Sequence, residues 1–144
     1  VGEDKSSMFD SSKIVDHLYS VKEKTAQAVG EVFDFWHVRI YLAVSVLLNA
    51  VSWGVVFLIR SQAEGNLLIL HYNIDFGADL IGRASQLTFV PVLGLVVMVA
   101  NLLLTFFFMR SDNFNFLSHL LLFTAVAVNL FLLISLAPVY LINF

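Results

Sequence analysis

The chain has no cysteine, only 2 prolines among 144 residues, and few charges. Each shortage excludes something. Without cysteine there is no disulfide frame, no thiolate metal site and no cysteine nucleophile. Charged residues make up 13% of the chain, against roughly 25% in an ordinary soluble domain. None at all follows Asp112. A net charge of −3, with no basic patch interleaved with aromatics, argues against nucleic acid as a partner. Nucleophile motifs, zinc motifs and phosphate loops are missing too, so no cofactor, metal or catalytic residue is expected. Asp75-Phe76-Gly77 matches a kinase triad by chance, with no catalytic loop or glycine-rich loop beside it. The chain is expected not to be an enzyme.

What is present is apolar. Hydrophobic residues account for 59% of the chain, where roughly 45–50% is usual. The stretch Leu87–Met109 runs 23 residues without an ionisable side chain. As a helix it is about 34 Å long, enough to cross a bilayer core of about 30 Å. Tyr41–Ile59, closed by Arg60, and Leu120–Ile142 are two more such runs. The expected fold class is an all-α integral membrane protein with three transmembrane helices, at about 41–59, 87–109 and 120–142. The run at 87–109 is expected to be its central strut. Pro91 falls in the first turns of that helix, where a missing N–H does least harm. The charge-rich first 35 residues contain no apolar signal core, so insertion is expected to rely on the first membrane helix.

Before the spans, residues 1–11 read as a polar, disordered tail. Asp10, Ser11 or Ser12 can cap the helix that follows. Ile14, Leu18, Val21, Thr25, Ala28 and Val32 then recur at steps of four and three, drawing one apolar stripe along a helix. Lys13, Asp16, Lys22, Glu23, Lys24, Gln27 and Glu31 cover its other side. An amphipathic cytoplasmic helix is therefore expected over 12–38, lying on the membrane surface or paired with one partner helix. Phe33, Phe35, Trp36, His37 and Arg39 mark the boundary, since aromatic rings and cations favour the headgroup region. Lys22, Lys24, Arg39 and Arg110 lie near the membrane on one side, Arg60 and Arg83 on the other. The N-terminus and the 110–116 turn are thus expected in the cytoplasm, and the 60–86 loop and the C-terminus outside.

Each span carries one asparagine: Asn49, Asn101 and Asn129. Counted from inner ends near Ile40, Met109 and His119, they lie at depths of about 14, 12 and 15 Å. An amide facing hydrocarbon leaves its donors and acceptors unpaired, at a cost of several kcal/mol. All three are expected to turn inward and bond one another as interhelical glue. Tyr41, Ser45 and Ser52 share the face of Asn49. Gly94, Met98 and Thr105 share that of Asn101, and Ser118 and Ala125 that of Asn129. No carboxylate or basic residue sits at this depth, which argues against a charged path.

The outward loop holds the remaining chemistry. Leu67–Leu70 reads as a short strand or an interfacial segment, followed by a turn at 71–82 rich in Asn, Asp and Gly. His71, Asn73, Asp75 and Asp79 are the candidates for a binding turn. His71, Asp75 and Asp79 have a four-residue spacing that would align ligands on a helix, and Gly77 argues against one.

His71-Tyr72-Asn73, Gly77, Asp79, Gly82 and Pro91 resemble, in order, a pattern in a small bacterial membrane domain of unknown biochemistry. That domain occurs in immunity proteins against a cannibalism toxin. There a helix leads into a Pro-x-His-aromatic-Asn turn, then Gly and Asp, then a helix with an early proline. Here Ile69 stands where the proline would be, and the glycine is offset by one. The resemblance covers about residues 69–91. It implies a prokaryotic inner membrane and a sensing or protective role, and no active site.

Three functions follow as expectations. The first is a non-enzymatic accessory, interaction or assembly subunit, whose partners are the lipid bilayer and another membrane protein or further copies of itself. The second is an outward-facing module binding a ligand, peptide or metal through the 71–82 turn. The third is a component of an oligomeric small transporter.

Overall fold

A computed structural model describes residues 11–63, 67–73, 75 and 77–144. The tail 1–10, with the candidate cap Asp10, lies outside the described residues. The elements are α1 (Ser11–Asp34), α2 (Trp36–Gln62), β1 (Leu67–Asn73), β2 (Gly77–Arg83), a 3-10 turn (Ala84–Thr88), α3 (Phe89–Phe107) and α4 (Phe114–Asn143). The chain is mostly helical, and three helical segments are long and apolar enough to cross a membrane: Trp36–Gln62, Ala84–Phe107 and Phe114–Asn143.

The lead-in helix does not run unbroken to 38. Phe35 leaves helical geometry, with φ −70° and ψ 117°, and its carbonyl accepts the N–H groups of Val38 and Arg39 that open α2. Val32 at the end of α1 then turns into a buried cluster with Val38, Phe114 and Leu122. Phe33 meets Phe106 of α3 at 6.3 Å between ring centroids. Ile14, Leu18 and Val21, farther up the same stripe, stay exposed.

The three long helices pack by a repeat visible in their buried positions. On α2 these are Val38, Ser45, Asn49, Ser52, Val56 and Ile59. On α4 they are Phe114, Ser118, Leu122, Ala125, Asn129, Leu136 and Val139. Steps of three, four and seven keep one seam facing a neighbour, as in helices packed close to parallel. Since α2 and α4 run in the same direction, positions about 80 apart meet, as in Asn49 with Asn129. The helix that touches both others most broadly is α4, whereas α2 and α3 meet over a smaller surface. The central strut is therefore α4 and not the 87–109 run. The α3 helix is the shortest of the three, and its connection to α4 holds it as one arm of a tight hairpin.

The all-α expectation fails in the loop between the first two long helices, which folds into an antiparallel β-hairpin. Leu67, Leu68 and Ile69 pair with Arg83, Gly82 and Ile81, and Asn73 pairs with Gly77 at the tip. The ladder is irregular around His71, so Leu70 and Asp79 each fall between successive pairs. Gly77 supplies the positive φ, 78°, that returns the chain into β2. A lone two-stranded hairpin is marginal in water. This one is anchored: Leu68 is buried among Val56, Ile59, Ala84, Leu87, Leu136 and Val139. At Gly82 an added side chain would displace the ends of the Leu70 and Gln86 side chains, which fill that space.

Candidate functional site

Between the two apolar clusters the bundle is polar. Ser45, Asn49, Ser52, Thr105, Ser118 and Asn129 are the buried polar residues among those described. The serines and threonine are mostly satisfied by their own helices: Ser52 donates to Leu48 O at 3.0 Å and Thr105 to Asn101 O at 2.8 Å. The exception is Ser45, whose buried hydroxyl has no partner among the described residues.

The asparagines differ, because two of them bond between helices. Asn49 Nδ2 donates to Pro91 O at 2.8 Å and to Asn129 Oδ1 at 3.1 Å. Asn129 Nδ2 donates to Gly94 O at 3.2 Å and to Ala125 O at 2.9 Å. Three helices are thereby joined by two side-chain amides and two backbone carbonyls of α3. Gly94 makes the approach possible, since a Cβ there would collide with Asn129 Oδ1 and Asn49 Nδ2.

Asn101 is not part of this layer. It is half-buried and donates through Nδ2 to Val97 O of its own helix at 2.9 Å. Gly94 and Pro91 occupy the level where Asn101 was expected, two turns or about 10 Å farther out. The error lies in the zero of the depth count. Since α2 starts at Trp36, α4 at Phe114 and α3 ends at Phe107, the three amides lie about 20, 22 and 9 Å from their inner helix ends. Apolar runs end before or after helices do, so run boundaries misplace a layer by up to two turns.

A second cluster lies at the end of the bundle where α2 and α4 begin. The rings of His37 and His119 stack at 4.1 Å with 19° between planes. His37 Nε2 is 2.9 Å from Ser118 Oγ, and Ser118 Oγ donates to Asn115 O at 3.0 Å. With its single proton on that carbonyl, the hydroxyl accepts from His37 Nε2–H. His119 Nδ1 lies 3.3 Å from the Tyr41 hydroxyl, and Phe35 packs beside His37 at 5.6 Å. The sequence reading placed His37 at the boundary without giving it a partner. The available signal was that both histidines open helices running in the same direction.

The candidates of the 71–82 turn are described only in part. His71 on β1 and Asp75 in the loop are exposed. Asp79 lies on the opposite arm from His71, so the two do not share the helix along which their four-residue spacing would have aligned them. The side chains of Asn73 and Asp79 lie outside the described residues. Among the described residues no three His, Asp or Glu side chains gather in a way that could hold a metal. The residue that reasoning from sequence passed over is Asn143, the last of α4. Ile69 N–H donates to its Oδ1 at 2.9 Å, and its Nδ2 donates to Ile69 O at 2.9 Å.

The chain matches no family model, no curated protein and no solved structure. The likeness of residues 69–91 to the immunity-protein domain accordingly rests on the residues quoted for it. One element of that pattern differs, since His71-Tyr72-Asn73 sits on a strand and not after a helix.

Proposed function

We propose that this chain is a multi-pass membrane protein acting as a non-enzymatic accessory, interaction or assembly subunit, with its N-terminus cytoplasmic and its C-terminus outside. The observation that carries this reading is the closed state of the mid-bundle amides. Both Nδ2 groups of the Asn49–Asn129 pair have two acceptors each, all of them protein atoms. Amides so engaged serve packing, where a solute path would need polar groups left open to the passing molecule. That disfavours the transporter reading.

Membrane insertion is supported by the outside of the bundle. Phe57, Phe107 and Phe131 are 76–79% exposed, and the exposed mid-helix hydroxyls of Thr124 and Ser135 donate to carbonyls of their own helix, which suits lipid and not water. On α1, Ile14, Leu18 and Val21 are exposed, as are Asp16 and Glu23, a pattern that supports a helix lying at the headgroup boundary. A protein so built, with its interior chemistry given over to packing, acts through its surfaces.

Chemical crosslinking in native membranes, followed by mild extraction and identification of the crosslinked species, tests the reading. The expected result is a complex containing a second membrane protein or further copies of the chain. A stable monomer with full biological activity overturns it.

A further inference from the structure

The corner between α1 and α2 is pinned to the start of α4 by a run of packed aromatic rings. Phe35, the corner residue, packs on Phe114 at 4.9 Å and on His37 at 5.6 Å. His37 stacks on His119 at 4.1 Å, and His119 meets the edge of Tyr41 at 5.6 Å. Val32 and Val38, on either side of the corner, are buried with Phe114 and Leu122. Farther from the corner, Ile14, Leu18 and Val21 of α1 are exposed, so α1 is held to the bundle through its C-terminal end. Two members of the run take up protons near neutral pH, His37 and His119. Their ring nitrogens meet hydroxyls, Ser118 Oγ at 2.9 Å and Tyr41 Oη at 3.3 Å, and neither ring has an acidic partner among the described residues. Of the charged groups on the elements around them, Glu31 and Asp34 end α1, and Arg110 and Asp112 lie in the turn before α4. Arg39 of α2 is drawn over the Trp36 ring at 5.8 Å and onto Asp34 O at 3.4 Å. The α3 helix, which reaches the corner through Phe106, carries no charged residue.

We propose that the His37–His119 stack is a proton-operated latch, closed on the corner while at least one ring is neutral and opened when both are protonated. The neutral pair is satisfied by its two hydroxyls. One proton makes one ring a cation lying over the π-face of the other, which stacking tolerates. A second proton sets two like charges face to face, with no carboxylate to offset them. Separating the rings relieves this. Farther along, α2 and α4 are tied to each other by Asn49 and Asn129, so the part free to give is the corner, with Phe35 leaving Phe114 and the end of α1 going with it. His119 is exposed, so protons reach the pair from the water at that end of the bundle. The open corner binds more protons than the closed one. Closure is therefore fully present above the ordinary histidine value of about 6.5 and is lost as the pH falls below it. The placement of α1 thereby depends on the pH of the compartment it faces.

Amide hydrogen exchange of the full chain in lipid nanodiscs reads the latch at Val38 and Arg39, whose N–H groups bond to the Phe35 carbonyl. Corrected for the intrinsic exchange rate at each pH, exchange there is expected to rise about tenfold from about pH 7.5 to about pH 5, with the amides around Asn49 and Asn129 unchanged. His119→Phe keeps a stacking ring and removes the second proton, so its corner should stay closed at both pH values. His37→Phe does the same from the other side, without the Ser118 bond. His17→Gln and His71→Gln, at the other two histidines of the chain, should leave the response intact. A wild-type corner indifferent to pH overturns the proposal. So does a full response that persists in either phenylalanine variant, or one lost with His17→Gln or His71→Gln.

Discussion

The middle of the bundle and its outer end use the same device, an asparagine amide against backbone, to different effect. In the middle, Asn49 and Asn129 join α2, α3 and α4 through each other and through Pro91 and Gly94 carbonyls. At the outer end, Asn143 grips one residue of a hairpin. No water competes for the first pair inside an apolar bundle, so a broken bond there leaves a donor or acceptor unsatisfied. The Asn143 site is only half-buried, and water can replace part of what a substitution removes. The first arrangement holds helices together, and the second selects a local fold.

Substitutions can break or sharpen that contrast. The largest effect is expected at Gly94, because any larger residue strikes both amides at once. Gly94→Val should cost about 3 kcal/mol, from overpacking and lost hydrogen bonds together, read as a large drop in the detergent melting temperature. Next is Asn129→Leu, which leaves Asn49 Nδ2 short of an acceptor and should cost about 2 kcal/mol. Adding Asn49→Leu should cost less than the two single changes summed, since the second removes the group the first orphaned. Strict additivity would mean that the pair does not interact.

Asn143→Ala should lower global stability by only about 1 kcal/mol. Its clear signature is faster amide hydrogen exchange at Ile69 and along β1, with the three helices unchanged. A global loss as large as that of Asn129→Leu would erase the distinction between the two regions. The smallest effect belongs to Asn101→Leu, expected within about 0.5 kcal/mol of the parent because its amide serves its own helix. If it melts as early as Asn129→Leu, Asn101 belongs to the layer after all.

Asn101 and Asn129 also show what was legible in advance. Both are lone asparagines in apolar runs, and the rule that a buried amide must be satisfied applies to both. One satisfies it across helices and the other within its own turn. Local sequence does not distinguish these, because the deciding quantity is the axial offset between helices. The same limit applies to the rim: His37 and His119 are far apart in sequence and stack only because α2 and α4 start level and run parallel. In the hairpin, the aliphatic run of β1 suggested a strand, whereas GADLIGR of β2 holds two glycines, an alanine and an aspartate, all poor strand formers. That strand exists because β1 pairs with it and Asn143 fixes β1 from the other side.

The sequence by itself determined the three long apolar helices, the short turn between the last two, and the presence of amides that had to be satisfied inside. These follow from composition and run length, because hydrocarbon-length apolar segments and unpaired amides have few physical solutions. Tertiary structure alone decided which amides meet, which helix is central, and that the loop before the second long helix becomes a hairpin gripped at Ile69. Those outcomes depend on helix offset, on a glycine-sized gap at Gly94, and on the reach of one side chain at the end of α4. Each is a distance between residues remote in the chain, and no local pattern records it.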